Sequence, residues 1–220
     1  MIFEDRWKGL ITREGSRSVT FWSAVILITL GVVVLLGWSV GEPTITSLSP
    51  NLVSMKPITA TTFILAGLGL LGIYRRWLTL ASTALILILV MCLVTSVSAA
   101  IMPGRAAPFL LPHLDMVAII SPGMPSVGVL VGFAVAASGL IIWMVGNGPL
   151  RPVRRGCGVI TVLLGASAIV GYISGIDILF WSIPGVSTAM AVHSALGFIV
   201  LGCAVHEADM ARYCTEGKGR

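Results

Sequence analysis

Few side chains in this sequence are equipped for chemistry, and the foremost of them is a histidine. His193 lies in an otherwise apolar stretch, Met190-Ala-Val-His193-Ser194-Ala195-Leu-Gly-Phe198. Met190, three residues earlier, falls on the same face of a helix. Met55 and Met124 open two similar stretches, and Thr59 stands in the first where Ser194 stands in the third. Thioether sulfur with imidazole suits copper, Cu(I) above all. The same imidazole would equally contact a small molecule such as a quinone. A third reading is structural, with His193 bonded to Ser194 or a backbone carbonyl and the methionines filling gaps in a core. The residues leave all three open, so no metal site is assigned and the cofactor is unknown. A bis-histidine haem is not expected, because His113 falls in a loop and His206 at the far end of its segment. Cys92, Cys157, Cys203 and Cys214 form no Cys-x-x-Cys pair, which leaves zinc and a disulfide framework unsupported.

The elements that must position these groups follow from composition. Of 220 residues, 56% are apolar and only 10% charged, far below the roughly 25% typical of soluble domains. Mean hydropathy is +1.00. Disorder is excluded by the same figures, since unfolded chains combine low hydrophobicity with high charge. A helix needs about 20 apolar residues to cross a bilayer. The charge-free stretches, trimmed at Gly, Pro and polar clusters, predict six spans: about 18–40, 57–74, 77–100, 125–146, 156–175 and 190–206. The expected fold is an all-α integral membrane protein made of three tandem helix hairpins. No Asp, Glu, Lys or Arg falls in a span core, which speaks against a proton relay, ion-coupled transport or a voltage sensor. Catalysis is not expected either.

Twelve of the 14 basic residues lie on one side of the predicted topology, in the clusters around Arg6–Arg17, Arg75–Arg76, Arg151–Arg155 and Arg212–Arg220; only Lys56 and Arg105 lie on the other. The positive-inside rule therefore places both termini in the cytoplasm and requires an even number of crossings. Topology accounts for this charge, so nucleic acid is not an expected partner. Residues 1–17 carry Phe3, Trp7, Leu10 and Ile11 at helical spacing among charges, the pattern of a short amphipathic helix on the cytoplasmic interface. Residues 207–220 are expected to form a cytoplasmic tail.

An internal repeat opens every even-numbered span. Counted from Met55, Met124 and Met190, position +4 holds Thr59, Gly128 and Ser194, and position +12 holds Gly67, Ala136 and Gly202. Phe63 and Phe198 share +8, where the middle copy has Gly132 with Phe133 beside it. Repeats in one orientation predict pseudo-threefold packing. Small residues at four-residue spacing supply the close helix contacts that lipid cannot drive by itself. Gly128, Gly132 and Ala136 form one such stripe, and Gly171 and Gly175 another.

With Met55-x-Pro-x-Thr59-Ala60-x-x-Phe63-x-x-x-Gly67, Gly171-Tyr172-x-x-Gly175, the Met190–Gly202 stretch and Pro122-Gly123 before Met124, residues 20–206 resemble the six-helix membrane sensor region found N-terminal to bacterial PAS, histidine-kinase and GGDEF domains. The plan is also similar to MHYT-type sensors, without the Met-His-Tyr-Thr tetrapeptide, so their metal role does not carry over. The resemblance implies a bacterial inner-membrane protein that binds a ligand near the outer ends of spans two, four and six. No output domain follows in this sequence, so a signal would leave through helix motion or a partner protein. Ser174 with His193 is similar in kind to a rhomboid protease pair, but Tyr172 stands where that motif needs Gly and no oxyanion donor is recognisable.

The remaining expectations concern the loops and the partners. Residues 101–124, with Arg105, His113 and Asp115 among apolar neighbours, should lie along the outer interface, and Phe180 and Trp181 should anchor the last outer loop at headgroup depth. Expected partners are membrane lipid and a membrane or cytoplasmic protein, with an oligomer or hetero-complex allowed. The alternative to a sensor is a non-catalytic accessory or structural subunit of a larger respiratory or photosynthetic membrane complex.

Overall fold

A computed structural model describes residues 2–47, 52–101, 125–146, 148–182 and 188–216, with side chains described between 18 and 208. Every regular element among the described residues is helical: α1 Ile2–Val40, α2 Pro43–Ser47, α3 Pro57–Arg75, α4 Leu78–Ile101, α5 Val127–Val145, α6 Arg151–Ser174 and α7 Val192–Glu216. Short 3-10 turns cover 148–150 and 177–180.

Local chemistry sets the ends. Pro57 occupies the first turn of α3, where its missing N–H costs nothing. Ser126 caps α5 by accepting a hydrogen bond from the Val129 N–H at 3.3 Å. Gly146 and Gly175 close α5 and α6 in the left-handed conformation that glycine adopts without penalty.

Among the described residues, five helices are long and apolar enough to cross a membrane: Ser18–Val40 within α1, and α3, α4, α5 and α6; the apolar part of α7, Val192–Ala208, is shorter. The span limits expected from the sequence fall within a few residues of these helices, except that α6 begins at Arg151 and takes the basic cluster into its first turns. A boundary expected between residues 17 and 18 is not marked by any break, since α1 runs without interruption through both. Nothing in the sequence pattern signalled the one-turn helix α2.

The helices close into a ring in chain order, α1 against α3, α3 against α4, α4 against α5, α5 against α6, α6 against α7, and α7 back against α1. Within it, α3, α5 and α7 also touch one another. Two-thirds of the apolar window of α3 is buried, against 28% for α4. The helices led by the repeated motif thus form an inner triangle, while α1, α4 and α6 flank it.

Three phenylalanines meet inside that triangle. Phe63, Phe133 and Phe198 are all at most 2% exposed. Their ring centroids are 4.7, 4.8 and 5.3 Å apart, at interplanar angles of 55–66°. Tilted and edge-on pairs of this kind suit the aromatic quadrupole. In the middle copy it is Phe133 that reaches the cluster, and Gly132 makes the room: a Cβ there would lie 2.7 Å from Phe198 Cε1.

The small residues set how closely the flanking helices approach. A Cβ on Gly31 would sit 2.5 Å from the Ala60 carbonyl oxygen, and one on Gly165 would sit 2.4 Å from that of Ala195. Gly67 faces the Ala24 carbonyl and Gly202 the Gly158 carbonyl in the same way. Ala60 and Ala195 both stand five residues after their motif methionine, so α1 on α3 and α6 on α7 pack in one register. The sequence of α4 contains no glycine, and α4 packs less extensively on α5 than α1 does on α3 or α6 on α7.

Candidate functional site

The candidate residues gather where α3, α5 and α7 begin. Met55 and Met190 are fully enclosed in the hydrophobic core, at 1% and 0% exposure. Their backbones are fixed alike. The Met55 N–H donates to the Thr46 carbonyl and the Met190 N–H to the Phe180 carbonyl, each at 2.8 Å. Trp38 Nε1 donates to the Met55 carbonyl at 2.8 Å. The Tyr172 hydroxyl donates to the Met190 carbonyl at 2.7 Å. Met55 and Met190 are therefore each clamped between the carbonyl of a short helical turn and an aromatic donor from the preceding long helix, which makes them register pins of the fold. Met124 lies outside the described residues.

His193 is built differently. It is 5% exposed, neither Nδ1 nor Nε2 makes a hydrogen bond of full geometry, and the polar group that approaches the ring is the Ile45 backbone. The bond to Ser194 considered from the sequence is not made. At the corresponding place, three residues past the methionine, copy one has Ile58 and copy two Val127, both apolar. Leaving a buried polar group unpaired costs about 1–3 kcal/mol. A neutral imidazole offers one donor and one acceptor, so this ring presents both functions inside an apolar wall. Thr46, next to Ile45, accepts from Met55, so the short α2 segment adjoins both Met55 and His193.

Thr59 and Ser194 are buried, one helical turn before Phe63 and Phe198. The third place in this layer belongs to Gly128, and Trp181 fills it: a Cβ on Gly128 would fall 2.5 Å from the indole ring. Phe180 stacks on Tyr172 at 4.6 Å and 13°. The two aromatics expected as headgroup anchors thus turn onto the bundle, and buried Trp181 Nε1 makes no hydrogen bond. The side chain of Trp7, the other expected anchor, lies outside the described residues, as does the whole 102–124 loop.

Gly171 leaves room for the loop that follows α6, since a Cβ there would lie 2.9 Å from the Phe180 backbone nitrogen. Ser174 donates back to the Val170 carbonyl of its own helix at 2.8 Å. It is exposed, and nothing joins it to His193 in a hydrolytic pair. No group of three or more His, Cys, Asp or Glu side chains converges among the described residues.

Sequence reasoning missed the two aromatic clamps, although a signal was present. Gly37-Trp38-x-x-Gly41 and Gly171-Tyr172-x-x-Gly175 are the same pattern at the same place in copies one and three. Gly41 and Gly175 both take positive φ, 72° and 69°. Comparison with protein-family models, curated proteins and solved structures finds no match for this chain.

Proposed function

We propose that this chain is a membrane-embedded sensor-type module that binds a ligand where α3, α5 and α7 begin and passes the change to a partner protein. Six crossings as three tandem hairpins, with both termini on the cytoplasmic face of a bacterial inner membrane, complete the reading. The 17-residue apolar stretch Val192–Ala208 would span roughly 26 Å at 1.5 Å per residue, close to the hydrocarbon thickness. The observation that carries the proposal is His193: a buried ring whose nitrogens meet only a marginal approach of the Ile45 backbone, at a position where the other two copies are apolar. Copies one and two show that the fold has no need of a polar group there. Met190 and Ser194 stand beside it in sequence at the start of α7, and the α2 segment that meets its ring also meets Met55, one turn before Thr59.

The test uses the full chain, affinity-purified from native membranes in mild detergent, as wild type and as His193→Leu. A cytoplasmic partner retained by the wild type and changed severalfold in the variant, with melting temperature not lowered, is the expected result. An unchanged set of partners in His193→Leu would overturn the proposal. So would recovery of both forms in one stoichiometric multi-subunit membrane assembly, which is the behaviour of an accessory subunit.

A further inference from the structure

At the end of α6 that carries the arginines, α6 and α7 touch backbone to backbone. A Cβ on Gly202 would lie 2.7 Å from the Gly158 carbonyl oxygen, and one on Gly158 would lie 2.9 Å from the His206 nitrogen. Beside this contact a groove of about 210 Å3 opens between the two helices. Val159, Val162 and Leu163 form its α6 wall, and Cys203 and His206 its α7 wall. Val159 and Leu163 are exposed on the outside of the bundle, where lipid would be their solvent.

Helix geometry joins this groove to charge. Arg155 stands four residues before Val159 and Arg151 eight before, on the same face of α6. No acidic residue lies in the first turn of α6, whose N-terminus adds its own positive field. Glu207 reaches the groove as its one acidic lining residue, and it is already engaged in an interaction of its own. Arg155 is engaged as well, but a guanidinium has five donors and is not exhausted by one partner. An apolar slot between spanning helices, with basic side chains at its mouth, matches a ligand that has a hydrocarbon tail and an anionic head.

We infer that the α6–α7 groove is a binding site for an anionic phospholipid, with an acyl chain along Val159, Val162, Leu163 and Cys203 and the phosphate at Arg155 and His206. The site is separate from His193 and does not depend on the sensor reading. A zwitterionic lipid fits the slot equally well but lacks the net charge that the arginine cluster selects.

Native mass spectrometry of the full chain in detergent, supplied with equal phosphatidylglycerol and phosphatidylcholine, reads this directly. The wild type is expected to retain phosphatidylglycerol in preference, by about fivefold for one basic contact near the surface. Arg155→Gln should remove most of the preference. Arg76→Gln, the same charge loss away from the groove, should leave it intact. Cys203→Trp, which fills the slot, should lower retention of both lipids; Leu163→Trp serves as the second filling variant if that protein does not fold. Equal retention by the wild type, equal effects of the two arginine variants, or retention untouched by a folded filling variant would each overturn the assignment.

Discussion

Replacing Phe198 by alanine tests whether the inner triangle holds the fold together. Phe198 is wholly buried and contacts both other rings, at 5.3 and 4.8 Å. In water the loss would include a transfer term, but in lipid the unfolded helices also keep the ring in apolar surroundings, so that term is absent. What remains is packing. Truncation opens roughly 100 Å3, which at about 24 cal/mol per Å3 costs about 2.4 kcal/mol. Two aromatic pairs add about 0.5–1.5 kcal/mol each, giving a total of about 3–5 kcal/mol. The assay is reversible unfolding in mixed micelles titrated with a denaturing detergent, read by circular dichroism. Leu93→Ala is the control, since Leu93 is 64% exposed on α4 and should cost almost nothing when lipid is its neighbour in both states. A Phe198→Ala loss below about 1 kcal/mol, or a Leu93→Ala loss of equal size, would refute the assignment of the aromatic cluster as the centre of the fold.

Other expectations follow from the same contacts. His193→Leu should raise stability by about 1 kcal/mol, because an apolar side chain relieves poorly paired buried nitrogens; a drop in melting temperature would mean that the ring, through the Ile45 backbone, serves the fold. Trp38→Phe and Tyr172→Phe should each cost about 1–2 kcal/mol by leaving the Met55 or Met190 carbonyl unpaired, and the two losses should match in thermal melts if the repeat is mechanical as well as sequential. Gly165→Val should cost more than about 2 kcal/mol through a clash with the Ala195 backbone. Gly156→Ala, with nothing within 4 Å, should be neutral or stabilising by up to about 1 kcal/mol in the same assay.

The helices were legible because apolar runs between charges have few alternatives once their length approaches that of a bilayer. The inner triangle was legible in part, through the Met-led motif and its phenylalanines, and Phe133 joins the cluster although its position is shifted by one. Single groups were harder to read. Trp38 and Tyr172 act through donors aimed at backbone carbonyls, and a backbone acceptor leaves no trace in the sequence. The seat of Trp181 was not legible, because its partner is Gly128, 53 positions earlier, whose missing side chain makes the room. For His193 the sequence indicated an unusual residue, and only the packing around it showed that its nitrogens meet little beyond a marginal approach of the Ile45 backbone.

The contact between α7 and α1 has a bearing on biosynthesis. Helices leave the ribosome in order, so α1 and α3 are made with one flank uncovered and keep it so until α7 has followed. Throughout that interval Phe63 waits for a partner encoded 135 codons downstream. Closure of the ring therefore waits on α7, and until then lipid lines the open flank, an apolar neighbour much like the helix that replaces it.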